Sequence, residues 1–576
     1  MYAPPHVQAI GIAALAVLPS FFFASPATAA TLQASGSSSS CRCFPGDACW
    51  PSPAEWNAFN QSVGGRLIAT VPLGSVCHGT TYDATRCANI QAAWPYADTH
   101  TDSSSSVLAP FFANQSCDPF LSRETPCVIG TYVQYAVNVS GIADIQESLA
   151  FAQKKNLRLV VRNTGHDYFG KSTGAGGLGL WMHNLKTYDI FDYKSAAYTG
   201  KAVTMGAGIQ AGESAATAFE HGLTIVSGIC PTVGLAGGYT QGGGLGPLTT
   251  RYGLGADQVL EWHAVLANGT EVTATPSKNS DLFWALSGGG GGTYAVVYSM
   301  TVKAHANERT TGANLTFPNA GSEDVFFQGV QAFHDIVPAI SDAGGTAVWT
   351  VLSQALSVGP VTGPNMTKAT MDSIFQPVLQ KLDALNITYS YSSGEFSSFF
   401  ESNAAYDPPV VSNGLQIGGR LVKRSDFTGN PDGFIQALRT NVDQGGLVTG
   451  ASYQLSSSLQ QAPNSVNPEL RKSLISFQIG VPWINTNWAT DLKNQDLITN
   501  SFVPAMAALL PGGGSAYLNQ ANFREPNWQQ VFYGENYDRL LELKNKYDPN
   551  HVFWGRTTVG SEQWAETDDH RLCQVS

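Results

Sequence analysis

Charge is what this 576-residue chain has least of. Charged residues make up 13% of it, and 31 Lys plus Arg against 43 Asp plus Glu leave a net charge of −12. A nucleic-acid binder would carry a basic patch or stripe, so that class is disfavoured. An acidic surface likewise offers anionic membranes no attraction. Beyond the N-terminus no segment has the ~18 consecutive apolar residues that a membrane span needs. No Cys-x-x-Cys pair marks a zinc site, and no G-x-G-x-x-G directly follows a strand and opens a helix, as a nicotinamide fold would require. What remains is ordinary globular composition, 43% hydrophobic, in a chain too long for one core.

The N-terminus reads as a secretory leader over 1–30. An apolar run from Ala9 to Ala24, broken by Pro19, leads to the small-residue pattern Ala27-Thr28-Ala29-Ala30. Its first residues lack Lys and Arg, so a membrane anchor is the competing reading. Cysteine usage favours export. Cys41, Cys43, Cys49, Cys77, Cys87, Cys117 and Cys127 crowd the first quarter and Cys573 lies near the end, an even set that suits disulfides. Cys230 is the odd one out. Seven Asn-x-Ser/Thr sequons, at Asn60, Asn114, Asn138, Asn268, Asn314, Asn365 and Asn386, agree with secretion.

Residues 31–124 are Ser-, Pro- and Cys-rich, with a low-complexity linker at Ser37 to Ser40 and a short helix predicted from the spacing of Trp56, Phe59 and Val63. From Pro126 the pattern changes. A strand over 132–137, a helix over 142–152 with Ile145, Leu149 and Ala152 on one face, and a buried strand over 157–161 give an α/β signature. That last strand delivers Arg162-Asn163-Thr164-Gly165-His166-Asp167 onto a turn. Further on, 259–266 and 271–274 flank Asn268-Gly269 as a hairpin. The run Gly288 to Gly292 precedes a strand over 293–298 and is either backbone pressed against a ligand or a flexible tip.

Residues 306–515 have no comparable glycine cradle. They carry a strand over 346–352, a helix over 371–385 interrupted at Pro377, and a strand over 413–424 on which Arg420 and Arg424 would share a face, toward a substrate or toward solvent. The tail, with a helix from Tyr537 to Lys544, could complete the first domain and make the middle third an insertion.

Two stretches carry chemistry. The 162–167 turn can aim successive backbone N–H groups at one point, a nest for an anion such as a dinucleotide pyrophosphate. His166 on that turn is either a hydrogen-bonded loop residue or a functional one. Cys230, held extended by Pro231 in a glycine-rich loop, is a buried thiol, a nucleophile toward an electrophilic ring carbon, or half of a Cys-His protease pair. Nothing marks the oxyanion hole that a protease needs.

Val161 to Tyr168, Cys230-Pro231-Thr232-Val233-Gly234, Gly288 to Val297, Tyr533-Gly534-Glu535-Asn536 and Asp548-Pro549-Asn550 together resemble the vanillyl-alcohol oxidase/PCMH-type FAD oxidoreductases, in their berberine-bridge-enzyme-like branch. The resemblance covers roughly 125–560 and is strongest to secreted fungal proteins called isoamyl alcohol oxidase-like, some of which tailor secondary metabolites. It implies an α+β fold: a two-part PCMH-type FAD-binding domain (125–305 and 516–576) with an inserted mixed α/β substrate domain (306–515), behind a Cys-rich extension (31–124). It also implies bicovalent FAD, with His166 on the flavin 8α-methyl and Cys230 on ring carbon 6. Further cofactor positions would be Arg162, Asn163, Thr164, Gly165, Asp167, Val233, Gly234, Gly237, Gly238, Gly292 and Val297. Val233 falls at the oxygen-gating position, where valine is the oxidase-like choice. Tyr517 and Asn536 would stand at the catalytic face. The expected activity is hydride transfer from an alcohol to FAD, with O2 as acceptor and a small molecule as substrate, and without nucleic-acid or membrane partners. An oligosaccharide oxidase and a flavin-dead secreted binding protein are the alternatives.

Overall fold

The computed structural model describes residues 41–406, 414–455 and 462–575; the leader and the Ser37 to Ser40 linker lie outside them. The first helix, Pro53–Ser62, starts where its sequence says it should. Ser52 accepts the Glu55 N–H, the Glu55 carboxylate accepts the Ser52 N–H, and Pro53 begins the first turn. Its apolar face buries Trp56 and Phe59 against Phe151 and Tyr135, with Phe59 and Phe151 stacked 4.2 Å apart. Phe151 belongs to helix Ile142–Lys154, whose buried face includes Ile145, Leu149 and Ala152.

The extension also donates an edge strand. Leu67–Ala69 pairs antiparallel with Tyr135–Asn138, which runs parallel to the wholly buried Leu178–Trp181, and Leu159–Arg162 closes that four-stranded sheet. A second, antiparallel sheet orders Tyr188–Lys194, Thr199–Gly206, Val296–Lys303, Val259–Val265 and Glu271–Ala274. Its last two strands form the hairpin turned at Gly269, whose φ of 81° suits glycine. One apolar core joins both sheets to Ala516, Leu518, Tyr533, Leu540 and Phe553 of the tail.

The middle of the chain has its own core. A seven-stranded antiparallel sheet orders Ser390–Phe396, Thr310–Pro318, Ala355–Pro364, Thr346–Val351, Leu447–Ser452, Ser473–Pro482 and Leu415–Lys423. Helices Glu323–Asp342, Lys368–Ala384 and Pro431–Asp443 cover one face through Phe333, Phe375 and Phe434. Along Ser473–Pro482 the residues Ile475, Phe477 and Ile479 point into that core, so Gln478 points to the opposite face.

Two sequence expectations fail here. Helix Lys368–Ala384 runs through Pro377 without a break, because Met371, Phe375, Val378 and Leu382 bury one continuous stripe and packing outweighs the lost N–H. Arg420 and Arg424 do not share a strand face, because the strand ends at Lys423 and Arg424 opens helix Arg424–Gly429. Arg420 is buried in a two-pronged pair with Glu525 of the tail, at 2.9 and 3.0 Å, while Arg424 is half-buried and pairs with Asp342. Neither is placed as a substrate contact.

The eight cysteines set apart in sequence form four disulfides: Cys41–Cys573, Cys43–Cys49, Cys77–Cys87 and Cys117–Cys127. Cys230 is in none.

Candidate active site

Strand Leu159–Arg162 ends in the glycine turn, and two side chains fix its shape. The Asp167 carboxylate accepts the N–H groups of Phe169, Lys171 and Ser172 at 3.1, 2.7 and 3.1 Å, pinning the exit. Arg162 lies buried beneath, and Gly165 sits on it. With φ at 79°, a Cβ at Gly165 would fall 2.9 Å from Arg162 Nη1, so glycine is required twice over. Arg162 donates from Nη2 to the His100 carbonyl at 2.8 Å, its Nε and Nη1 have no hydrogen-bond partner among the described residues, and burial pushes its pKa down to about 10. The N–H groups of Thr164, Gly165 and His166 donate to no protein acceptor among the described residues, which leaves them free to serve as an anion nest.

The second stretch closes on this turn from 64 residues away. Cys230 Sγ lies 3.9 Å from His166 Nε2, and Thr232 Oγ1 stands between them, 2.7 Å from Nε2 and 3.4 Å from Sγ. Burial, then the nearby His100 and Arg162, hold the His166 pKa down at about 3, so the ring is neutral and one of its nitrogens keeps its lone pair free at ordinary pH. Gly234 and Gly237 lie against the Asn163 amide, where a Cβ would come within 2.5 and 2.9 Å of it. Asn163 in turn donates to the Ala207 carbonyl, and its buried Oδ1 has no hydrogen-bond partner among the described residues. Gly234 N–H reaches Thr164 Oγ1 at 3.4 Å, and the Val233 N–H reaches the Cys230 carbonyl at 3.3 Å.

The glycine run 288–292 is not a loose tip. Gly288 and Gly290 donate to the Gln241 carbonyl at 3.0 and 2.9 Å, and a Cβ on Gly291 would lie 2.9 Å from Gly238 Cα. The run is backbone packed on backbone, and it opens a cleft whose walls include Val161, Lys171, Gly291 and Gly292. Val297 is buried in the following strand, paired with Ala264. A flat, side-chain-free wall, unspent N–H groups and a neutral histidine beside a thiol suit a planar dinucleotide cofactor.

Tyr517 is buried, and its hydroxyl accepts from the Gly244 N–H at 3.1 Å and from Asn519 Nδ2 at 2.9 Å. Burial raises its pKa, and these two donors oppose the rise. Asn519 also donates to the Gly238 carbonyl at 2.9 Å, tying Tyr517 to the glycine wall. Asn536 donates its side-chain amide to the Ser465 and Val466 carbonyls at 3.1 and 3.2 Å, and so holds that segment.

Sequence reasoning missed five residues. Thr232 and Tyr168 lay within the quoted motifs but carried no chemistry of their own there. Tyr168 meets Gln478 from the middle sheet and feels Cys230, and burial raises its pKa. Asn519 and Lys171 lie two and four residues from Tyr517 and Asp167, which they bond, but carried no chemistry of their own in the sequence; Gln478 had no local signal, because only the fold brings it to the site.

Comparison with known proteins follows the same lines. Family models described as "FAD binding domain" and "Berberine and berberine like" match residues 133–275 and 516–560. The FAD-linked oxidoreductase sor8 of Hypocrea jecorina (strain QM6a) is 90% identical over 576 residues, covering 100% of each chain. The crystal structure of the VAO-type flavoprotein MtVAO615 from Myceliophthora thermophila C1 superposes with a TM-score of 0.88 at 39% identity, covering 93% of this chain and 100% of that one. Glucooligosaccharide oxidase from Acremonium strictum shares the fold, with a TM-score of 0.60 at 20% identity over 74% of this chain and 92% of its own.

Proposed function

Because the chain belongs to the VAO-type FAD-linked oxidoreductases of the berberine-bridge-like branch, we propose that it is a secreted oxidase that holds FAD through both His166 and Cys230 and oxidises an alcohol at the expense of O2. The carrying observation is the approach of Cys230 Sγ to within 3.9 Å of His166 Nε2 with Thr232 between them. Two nucleophiles that close can both reach one ring edge. The glucooligosaccharide oxidase above is described as carrying a 6-S-cysteinyl, 8α-N1-histidyl FAD, which is the same residue pair.

FAD, when bound, supplies the two-electron acceptor for a hydride from the substrate carbon. The chain supplies the rest. Neutral His166 and the Cys230 thiol fix the ring, the 162–167 turn offers its N–H groups, and glycines 234, 237, 238 and 292 allow close approach. Val297 backs this wall, and Val233 stands beside Cys230 as the proposed oxygen gate. Tyr517 is the proposed base. The Gly244 and Asn519 donors aimed at its oxygen would stabilise the phenolate left after the proton departs. Tyr168 and Gln478, which meet one another, would frame the substrate between the flavin turn and the polar face of the middle sheet.

On this reading 125–305 with 516–576 holds the cofactor and 306–515 covers the substrate. Residues 31–124 brace the first of these. Four disulfides and exposed sequons at Asn268, Asn365 and Asn386 favour an exported glycoprotein. The test is acid precipitation of the purified protein: flavin colour stays in the pellet if the linkage is covalent, and a colourless pellet overturns it. Peroxide release on a panel of alcohols, phenolics and sugars then assigns the substrate class.

A further inference from the structure

We propose that Thr232 is the positioning residue for both covalent bonds. Its hydroxyl accepts the Nε2 proton of His166 and donates its own to the Cys230 sulfur, so that one O–H prepares two nucleophiles. This rests on the flavin reading above. The hydroxyl oxygen lies 2.7 Å from His166 Nε2 and 3.4 Å from Cys230 Sγ, within reach of both at once.

A neutral imidazole has one N–H and one free lone pair, and the partner of one nitrogen decides which is which. Among the described residues Nε2 meets the Thr232 oxygen and, farther off at 3.9 Å, the sulfur, while Nδ1 has no hydrogen-bond partner. With the proton on Nδ1, an N–H would stand without a protein acceptor, and Nε2 would take the hydroxyl's only proton away from the sulfur. With the proton on Nε2, both contacts of the hydroxyl are satisfied and the free lone pair is that of Nδ1. An O–H aimed at sulfur also stabilises the negative charge of a thiolate, the form that attacks.

The hydroxyl is held in place by its own backbone. Gln210 Nε2 donates to the Thr232 carbonyl at 3.1 Å. At the start of helix Ala211–Glu220, the N–H groups of Ala211 and Gly212 donate to the Val233 and Pro231 carbonyls at 2.9 and 2.8 Å. Three consecutive residues are thus fixed around the hydroxyl, which is preorganised. Each covalent bond exchanges a C–H of the cofactor, and the N–H of His166 or the S–H of Cys230, for a C–N or C–S bond. Two electrons and two protons are released each time, and O2, the acceptor already proposed, takes them up as H2O2. For His166 the departing nitrogen proton is the one on Nε2, and Thr232 is the group it is bonded to.

The test is flavin attachment itself, followed in the full chain. Apoprotein from a riboflavin-starved host is mixed with FAD in air, and timed digests are read by mass spectrometry for flavin on the His166 and Cys230 peptides. Thr232→Val keeps the shape and loses the hydroxyl; it should slow both attachments about 10- to 100-fold, as the loss of one hydrogen bond to a charged group would. Thr232→Ser should attach flavin at close to the wild-type rate. NMR of the histidyl-flavin from the wild type should show the bond at Nδ1. Wild-type rates in Thr232→Val overturn the proposal, as do equal losses in Thr232→Val and Thr232→Ser, or a bond at Nε2. A wild-type chain with flavin on neither peptide overturns the flavin reading and this inference together.

Discussion

Single residues set the chemistry. Replacing either His166 or Cys230 with Ala should leave a flavin tethered at one point, and replacing both should leave it dissociable; acid-precipitated pellets read for flavin absorbance check this. Flavin surviving denaturation in the double variant would refute the pair. Gly165→Ala meets both a positive φ and the Arg162 guanidinium. It should lower flavin content and cost on the order of 1–3 kcal/mol of stability, measurable by thermal melting. Titration at this scale has a definite sign. His100, His166 and His334 are pushed down by burial to about 4, 3 and 3, below the ~6.5 of an unfolded histidine. Between those values the unfolded chain binds more protons, so apoprotein stability should fall as pH drops from about 6.5 toward 3–4, by at most about 1.4 kcal/mol per pH unit per histidine. His334, ringed by Phe333, Trp349, Phe427 and Phe477, makes no use of its Nε2. His334→Leu should therefore flatten that acid slope, as denaturant melts at pH 4 and 7 would reveal.

Elements follow the sequence where local signals and packing agree, and depart from it where packing overrides. The Pro53–Ser62 helix and the Asn268-Gly269 turn were legible because the Trp56-Phe59 spacing and the Asn-Gly pair each act within a few residues. Pro377 does not break its helix because its penalty is local, while the stripe of Met371, Phe375, Val378 and Leu382 is held by the core that the whole middle sheet builds. Pro377 is itself exposed on that helix. Pro377→Ala should restore a hydrogen bond and stabilise the protein by up to about 3 kcal/mol, as a rise in melting temperature. No rise would mean that the ring makes compensating contacts. Arg424 leaves the strand face that its four-residue spacing from Arg420 predicts, because a helix begins there and periodicity alone does not encode that start.

At the scale of the molecule, the two ends are joined. Cys41–Cys573 spans 532 residues, and Arg42 reaches back to the Asn550 and His551 carbonyls at 3.1 and 2.9 Å. Cys41→Ser/Cys573→Ser should cost about 2–5 kcal/mol by freeing the unfolded chain. It should also loosen the tail that carries Phe553 and the far wall of the cleft, seen as faster hydrogen exchange over 547–560. Exchange unchanged there would show that the Arg42 contacts suffice.

The sequence by itself determined the residue types and the local frame: a strand ending in a glycine turn with His166, a proline-held Cys230, a glycine run before a strand, and eight cysteines set apart from a ninth. These are legible because φ preference, capping and thiol parity act over short distances or by simple counting. Tertiary structure alone decided which of them meet. Thr232 beside His166, Gly291 on Gly238, Gln478 against Tyr168, Asn519 on Gly238 and Lys171 beside Gly291 all join segments far apart in the chain. Such contacts are fixed by how two cores pack, and no local propensity encodes that.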